Sequence, residues 1–141
     1  MDEIRMRYLE MIQGVITRMA SNSFLLKGWS VTLAAGILTL ASKDANKNFY
    51  LIAFIPIIVF WLLDAYYLQL ERKYRRLFES TRDSASVRKP FEMNLKEIAH
   101  IFAGEKKFTY INCLFSRTEY LFYIPVAVVI LLVILKLTGN T

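Results

Sequence analysis

The chain is poor in the residues that build metal and nucleophilic sites. It has one cysteine, Cys113, and one histidine, His100. A lone cysteine closes no intrachain disulfide, and one residue of each kind makes neither the usual metal site nor a recognisable Cys–His pair. The sequence has no glycine-rich phosphate loop, no nucleophile elbow and no His-Glu-x-x-His run. Charged residues are also scarce, 21% of 141 residues against 55% hydrophobic. That balance excludes intrinsic disorder and an ordinary soluble domain. The expectation is a membrane protein that is not an enzyme and carries no cofactor.

Three long apolar runs occupy 24–42, 49–70 and 120–137, each with at most one charge, namely Lys27, Asp64 and Lys136. About 20 mostly apolar residues suffice for a helix to cross a bilayer core of about 30 Å. The fold class expected is therefore an all-α membrane protein with three transmembrane helices. It divides into an N-terminal amphipathic helix (1–23), a transmembrane hairpin (24–71), a basic helical connection (72–118), and a third span with a short tail (119–141). In the first segment Ile4, Tyr8, Met11, Ile12, Val15, Ile16 and Met19 recur at three- and four-residue steps. Such a helix suits the membrane surface, packing against the cytoplasmic part, or a seam with a partner subunit. Asn22 and Ser23 read as a break before the first span.

Orientation follows from the basic residues. Arg72, Lys73, Arg75, Arg76, Arg82, Arg88, Lys89, Lys96, Lys106, Lys107 and Arg117 all lie in the connection 72–118, whereas 43–48 holds Lys43 and Lys47. The positive-inside rule puts the connection and the N-terminus in the cytoplasm and the C-terminus outside. Within the connection, 82–90 reads as loop and 94–103 as a short helix stopped by Gly104. The run 108–115 fits either an interfacial segment or a strand.

Lys27 and Asp64 fall at similar depth in neighbouring antiparallel spans. Their pairing predicts a structural ion pair or, less simply, a gating element. Gly28, Thr32 and Gly36 form a small-residue ridge suited to helix packing within the chain or between subunits. Trp29, Trp61, Tyr66, Tyr67, Tyr120 and Tyr123 read as an interfacial aromatic belt, and Pro56 and Pro125 as sites of kinking. The aliphatic third span suits lipid or a hydrophobic constriction. The basic clusters attract anionic lipid headgroups; equally, Arg72, Lys73, Arg75, Arg76, Arg88, Lys89, Lys106 and Lys107 are candidates to hold an anionic ligand such as a nucleotide. Phe91, Phe108 and Tyr110 supply stacking surfaces. A lipid-acting enzyme would have only Lys27, Asp64 and Glu119 to work with, in no catalytic spacing.

The strings YLEMIQGVITRMASNSFLLKGWSVTLAAGI (8–37) and FIPIIVFWLLDAYYLQLERKYRRLF (54–78) resemble a widespread group of small bacterial membrane proteins. They are similar to the channel-forming membrane effector of the Hailong anti-phage system. The resemblance spans roughly 8–78 and is weaker beyond. It implies an inner-membrane homo-oligomeric channel that depolarises the cell. The channel would be held closed by single-stranded deoxyadenylate oligomers from a partner nucleotidyltransferase. It assigns no individual residue. The competing reading is a non-conducting anchor or adaptor that recruits a cytoplasmic partner or anionic lipid.

Overall fold

The structure is a computed structural model that describes residues 3–44, 47–83 and 91–139. Among the described residues it is helical, without strand. The helices are α1 (Glu3–Asp44), α2 (Lys47–Ile52), α3 (Phe54–Asp83), α4 (Tyr110–Leu114) and α5 (Arg117–Gly139). Helices α1, α3 with the end of α2, and α5 are long and apolar enough to cross a membrane.

Helix α1 has 42 residues, about 63 Å at 1.5 Å per residue. That is roughly twice a bilayer core, so only one half can lie in lipid. The expected break at Asn22 and Ser23 does not occur. Neither residue removes an amide hydrogen or forces a left-handed backbone, and a stripe of inward-facing residues runs straight through them. Tyr8, Ile12, Ile16, Ser30, Ala34 and Ala41 are buried, and Ser23 and Lys27 are half-buried between them. Steps of three, four and seven keep this stripe on one side of the helix.

Two apolar cores lie along this stripe. One gathers Ala34, Ala41, Tyr50, Ala53, Ile57, Tyr123, Ile130 and Ile134 among the span helices. The other, which we call the head, gathers Tyr8, Ile12, Ile16, Leu77, Ile98, Phe102 and Phe108. The N-terminal half of α1 thus packs against the end of α3 and the segment 91–109. Arg5 ties the two helix ends together. Its Nε donates to the carbonyl of Thr81 at 3.1 Å, and Nη2 donates to that of Arg82. Both are end-of-helix carbonyls without an intrahelical partner, where a cation is also favoured.

Pro56 sits in the first turn of α3, where its missing amide costs nothing. The chain turns just before it, at Ala53, whose amide donates to Tyr50 at 3.2 Å. Pro125 lies inside α5, which continues past it. The helix expected over 94–103 is reduced to turns and one 3-10 turn, Ala99–Ile101. Side chains compete with the helix there. Glu92 accepts from the Asn94 amide at 2.8 Å, and Asn94 Oδ1 accepts from the Lys96 amide at 3.1 Å. So short a helix has little stability to resist them. Ile98 and Phe102 are nonetheless buried, and Gly104 takes φ +84°, the left-handed geometry of a chain stop. The run 108–115 becomes helix α4 rather than strand. The loop expected over 82–90 falls mostly on 84–90, outside the described residues.

Candidate functional site

Between the two cores lies a layer of buried polar groups contributed by all three long helices. Lys27 of α1 reaches Asp64 Oδ2 of α3 and lies 3.3 Å from Glu119 Oε1 of α5. Its Nζ also donates to Ser23 Oγ, one turn earlier, at 3.1 Å. The Tyr123 hydroxyl donates to Asp64 Oδ2 at 3.0 Å. The Asp64 and Glu119 side chains are 0% and 1% exposed, whereas that of Lys27 is 18% exposed. The cluster is therefore closed on its acidic side and open on its basic side. Above the ammonium sit the rings of Phe122 and Tyr123, at 5.8 and 5.7 Å, each able to add cation–π attraction.

The sequence placed Lys27 opposite Asp64, and the structure brings them into contact. It named Glu119 beside them only as a group a lipid-acting enzyme could use, not as a third partner, and assigned Tyr123 to an interfacial belt. Tyr123 is 1% exposed and belongs to the cluster. The missed signal was spacing. Glu119 and Tyr123 are four apart in the first turns of α5 and share a face, at the same end of the bundle as Lys27 and Asp64. Trp61 is also not simply a belt residue. Its indole N–H donates to the carbonyl of Leu114 at 3.0 Å, and its ring stacks with Tyr123 at 6.1 Å. Trp29, Tyr66 and Tyr120 are exposed.

The ridge of Gly28, Thr32 and Gly36 faces away from the rest of the chain. All three residues are exposed, and a Cβ built at either glycine meets nothing within 4 Å. Contacts within the chain use Ser30, Ala34 and Ala41 instead. The ridge is offset from these by two residues, about 200° around the helix.

The basic candidates separate into two groups. Several are held by the protein itself. Arg72 donates to the carbonyl of Lys107 at 3.0 Å and approaches Cys113 Sγ at 3.6 Å. Arg75 pairs with Glu71 at 2.7 Å, Arg76 with Glu79 and Glu105 at 3.6 and 3.7 Å, and Lys107 with Glu105 at 3.0 Å. Lys73 and Lys106 have no carboxylate partner among the described residues. Both line an open cleft of about 480 Å³ in the head, beside Phe102, Gly104, Glu105 and Phe108. Arg88 and Lys89 lie outside the described residues.

The cleft floor is fixed from α3. Gln69 Nε2 donates to the Phe108 carbonyl at 2.8 Å, and the Tyr110 hydroxyl donates to that of Leu62 at 2.8 Å. The Phe108 ring is buried against Phe102 in an edge-on contact, so it is cleft wall and core, not a free stacking surface. Phe91 packs edge-on against Tyr8 at 5.9 Å. Cys113 is fully buried, and burial pushes its thiol up despite the opposing Arg72 guanidinium. It is an inert thiol at neutral pH. His100 is exposed, and among the described residues no group of three His, Cys, Asp or Glu is placed to hold a metal ion.

Comparison of the chain with known protein families, with curated proteins and with solved structures finds no match.

Proposed function

We propose that the chain is a bacterial inner-membrane effector that assembles into an ion-conducting homo-oligomer and depolarises the membrane in anti-phage defence. An anionic nucleotide or oligonucleotide at the head holds it closed. In this reading the head lies in the cytoplasm, which the distribution of Lys and Arg supports. Three spans from one chain enclose too little space for a water-filled path, so conduction needs several copies.

The observation that carries this reading is the unbroken α1, which contributes Tyr8, Ile12 and Ile16 to the head and Ala34 and Ala41 to the span core. A ligand that shifts the head thereby acts on a rod that is also a wall of the membrane part. Lys73 and Lys106, which have no carboxylate partner among the described residues, line the open cleft and supply charge for phosphate. The setting in defence rests on the resemblance of 8–78.

The test is ion flux in proteoliposomes, with and without short single-stranded oligodeoxynucleotides. The expected result is flux that the oligonucleotides suppress in a salt-sensitive way. Suppression should be lost, and flux kept, in the Lys73→Ala/Lys106→Ala double variant. Absence of flux in both conditions, from protein shown to be inserted and oligomeric, contradicts the channel and favours a membrane anchor.

A further inference from the structure

The polar layer contains more negative than positive charge. Lys27 alone faces both Asp64 and Glu119. The other titratable groups around them are Tyr123 of α5, whose hydroxyl donates to Asp64, and Cys113 of α4, beyond which Arg72 is held by the Cys113 sulfur and the Lys107 carbonyl. Neither supplies a second cation. With both carboxyls ionised the buried cluster carries a net charge of about −1, in a setting where uncompensated charge is strongly disfavoured.

The two carboxyls are not equally served. Asp64 Oδ2 takes both the Lys27 ammonium and the Tyr123 hydroxyl. Glu119 Oε1 has only the longer Lys27 contact at 3.3 Å. Asp64 Oδ1 and Glu119 Oε2 are buried without any hydrogen-bond partner among the described residues. Two buried carboxyls that share one ammonium and each keep an acceptor without a donor are relieved by a single proton, because it turns one carboxylate into a donor.

We propose that Asp64 and Glu119 form a proton-binding site that holds one proton per chain, carried mainly by Glu119. With the proton bound the cluster is neutral: an ammonium, the Asp64 carboxylate, and a Glu119 carboxylic acid. The proton exchanges with water along the exposed flank of Lys27. Its loss leaves two carboxylates against one ammonium, and the first turns of α5 are then held less firmly to α1 and α3. The site is a proton-linked joint between the third span and the hairpin. It does not rest on conduction or on any ligand at the head.

The test is infrared difference spectroscopy of the full chain in lipid vesicles, stepped from about pH 5 to about pH 9, a range that covers documented buried carboxyl values. The wild type should show a protonated carboxyl signal that disappears in one step as pH rises. Glu119→Gln should abolish that signal. Hydrogen exchange of the 116–123 amides, corrected for intrinsic base catalysis, should increase with the same midpoint in the wild type and lose that pH dependence in Glu119→Gln. A folded wild type without any protonated carboxyl signal in this range overturns the proposal, with no variant needed. A signal that survives in Glu119→Gln moves the proton to another residue and overturns it equally.

Discussion

The two cores are built from different residues, and the difference follows that between water and lipid as surroundings. The head buries large side chains, Tyr8, Ile12, Ile16, Leu77, Phe102 and Phe108, and turns charged groups outward. That is how burial from water drives packing. The span core sets small residues, Ala34, Ala41 and Ala53, among large ones, Tyr50, Ile57, Tyr123, Ile130 and Ile134. Other large apolar side chains such as Leu33, Leu40, Ile58, Val129 and Leu132 point outward. Lipid is as apolar as leucine, so close backbone approach and polar contacts must specify the arrangement there. The Lys27 cluster sits where the two regimes meet, and all three long helices contribute to it.

This contrast is breakable by substitution. The largest effect expected is from Lys27→Met. It leaves Asp64 and Glu119 buried with no cation, and breaking a buried pair in this way costs about 3–5 kcal/mol. Thermal unfolding in detergent should show it. The triple variant Lys27→Met/Asp64→Leu/Glu119→Leu should recover much of the loss, because it removes every charge together. Next is Ile12→Ala, a truncation at a fully buried site worth about 2–5 kcal/mol. Hydrogen exchange should rise in the head while the span core stays protected.

Ala34→Leu tests the seam. Overpacking there costs about 1–3 kcal/mol and should lower the unfolding temperature. Gly36→Leu, on the open face of the same helix, should leave the fold of a single chain intact. If copies meet through that face, Gly36→Leu should instead change the oligomer mass in native mass spectrometry. The smallest effects belong to surface groups. Arg5→Ala removes donors to two helix-end carbonyls and should cost about 1 kcal/mol. Arg75→Ala breaks an exposed pair with Glu71 and should cost less than about 1 kcal/mol.

The three spans were legible because a bilayer imposes a length of apolar chain that few other settings require. The contact of Lys27 with Asp64 was legible because charges in such runs are rare and their depths matched. The continuity of α1 was harder to see. Composition changes sharply at Asn22 and Ser23, but composition marks solvent, not backbone; the inward stripe from Tyr8 to Ala41 carried the right signal. Of the two kinds of packing open to Gly28, Thr32 and Gly36, contact within the chain falls instead to Ser30 and Ala34, which match the small-residue motif less obviously. Glu119 was named with Lys27 and Asp64 but not joined to their pair, because it lies just outside the third apolar run. Which basic residues stay unpaired depends on partners distant in sequence, such as Glu105 for Arg76, and no local pattern reveals that.

Everything proposed about coupling depends on α1 being one rod. The most direct test places spin labels at two exposed positions of that helix, by Gln13→Cys and Val31→Cys, with the buried Cys113 replaced by serine. These positions are 18 residues apart on one face, which sets their backbones about 27 Å apart in an unbroken helix. Pulsed electron resonance in lipid should return a narrow distribution near that distance, widened only by the label arms. A broad or markedly shorter distribution would mean a hinge at Asn22 and Ser23, and the head could not then act on the membrane core through α1.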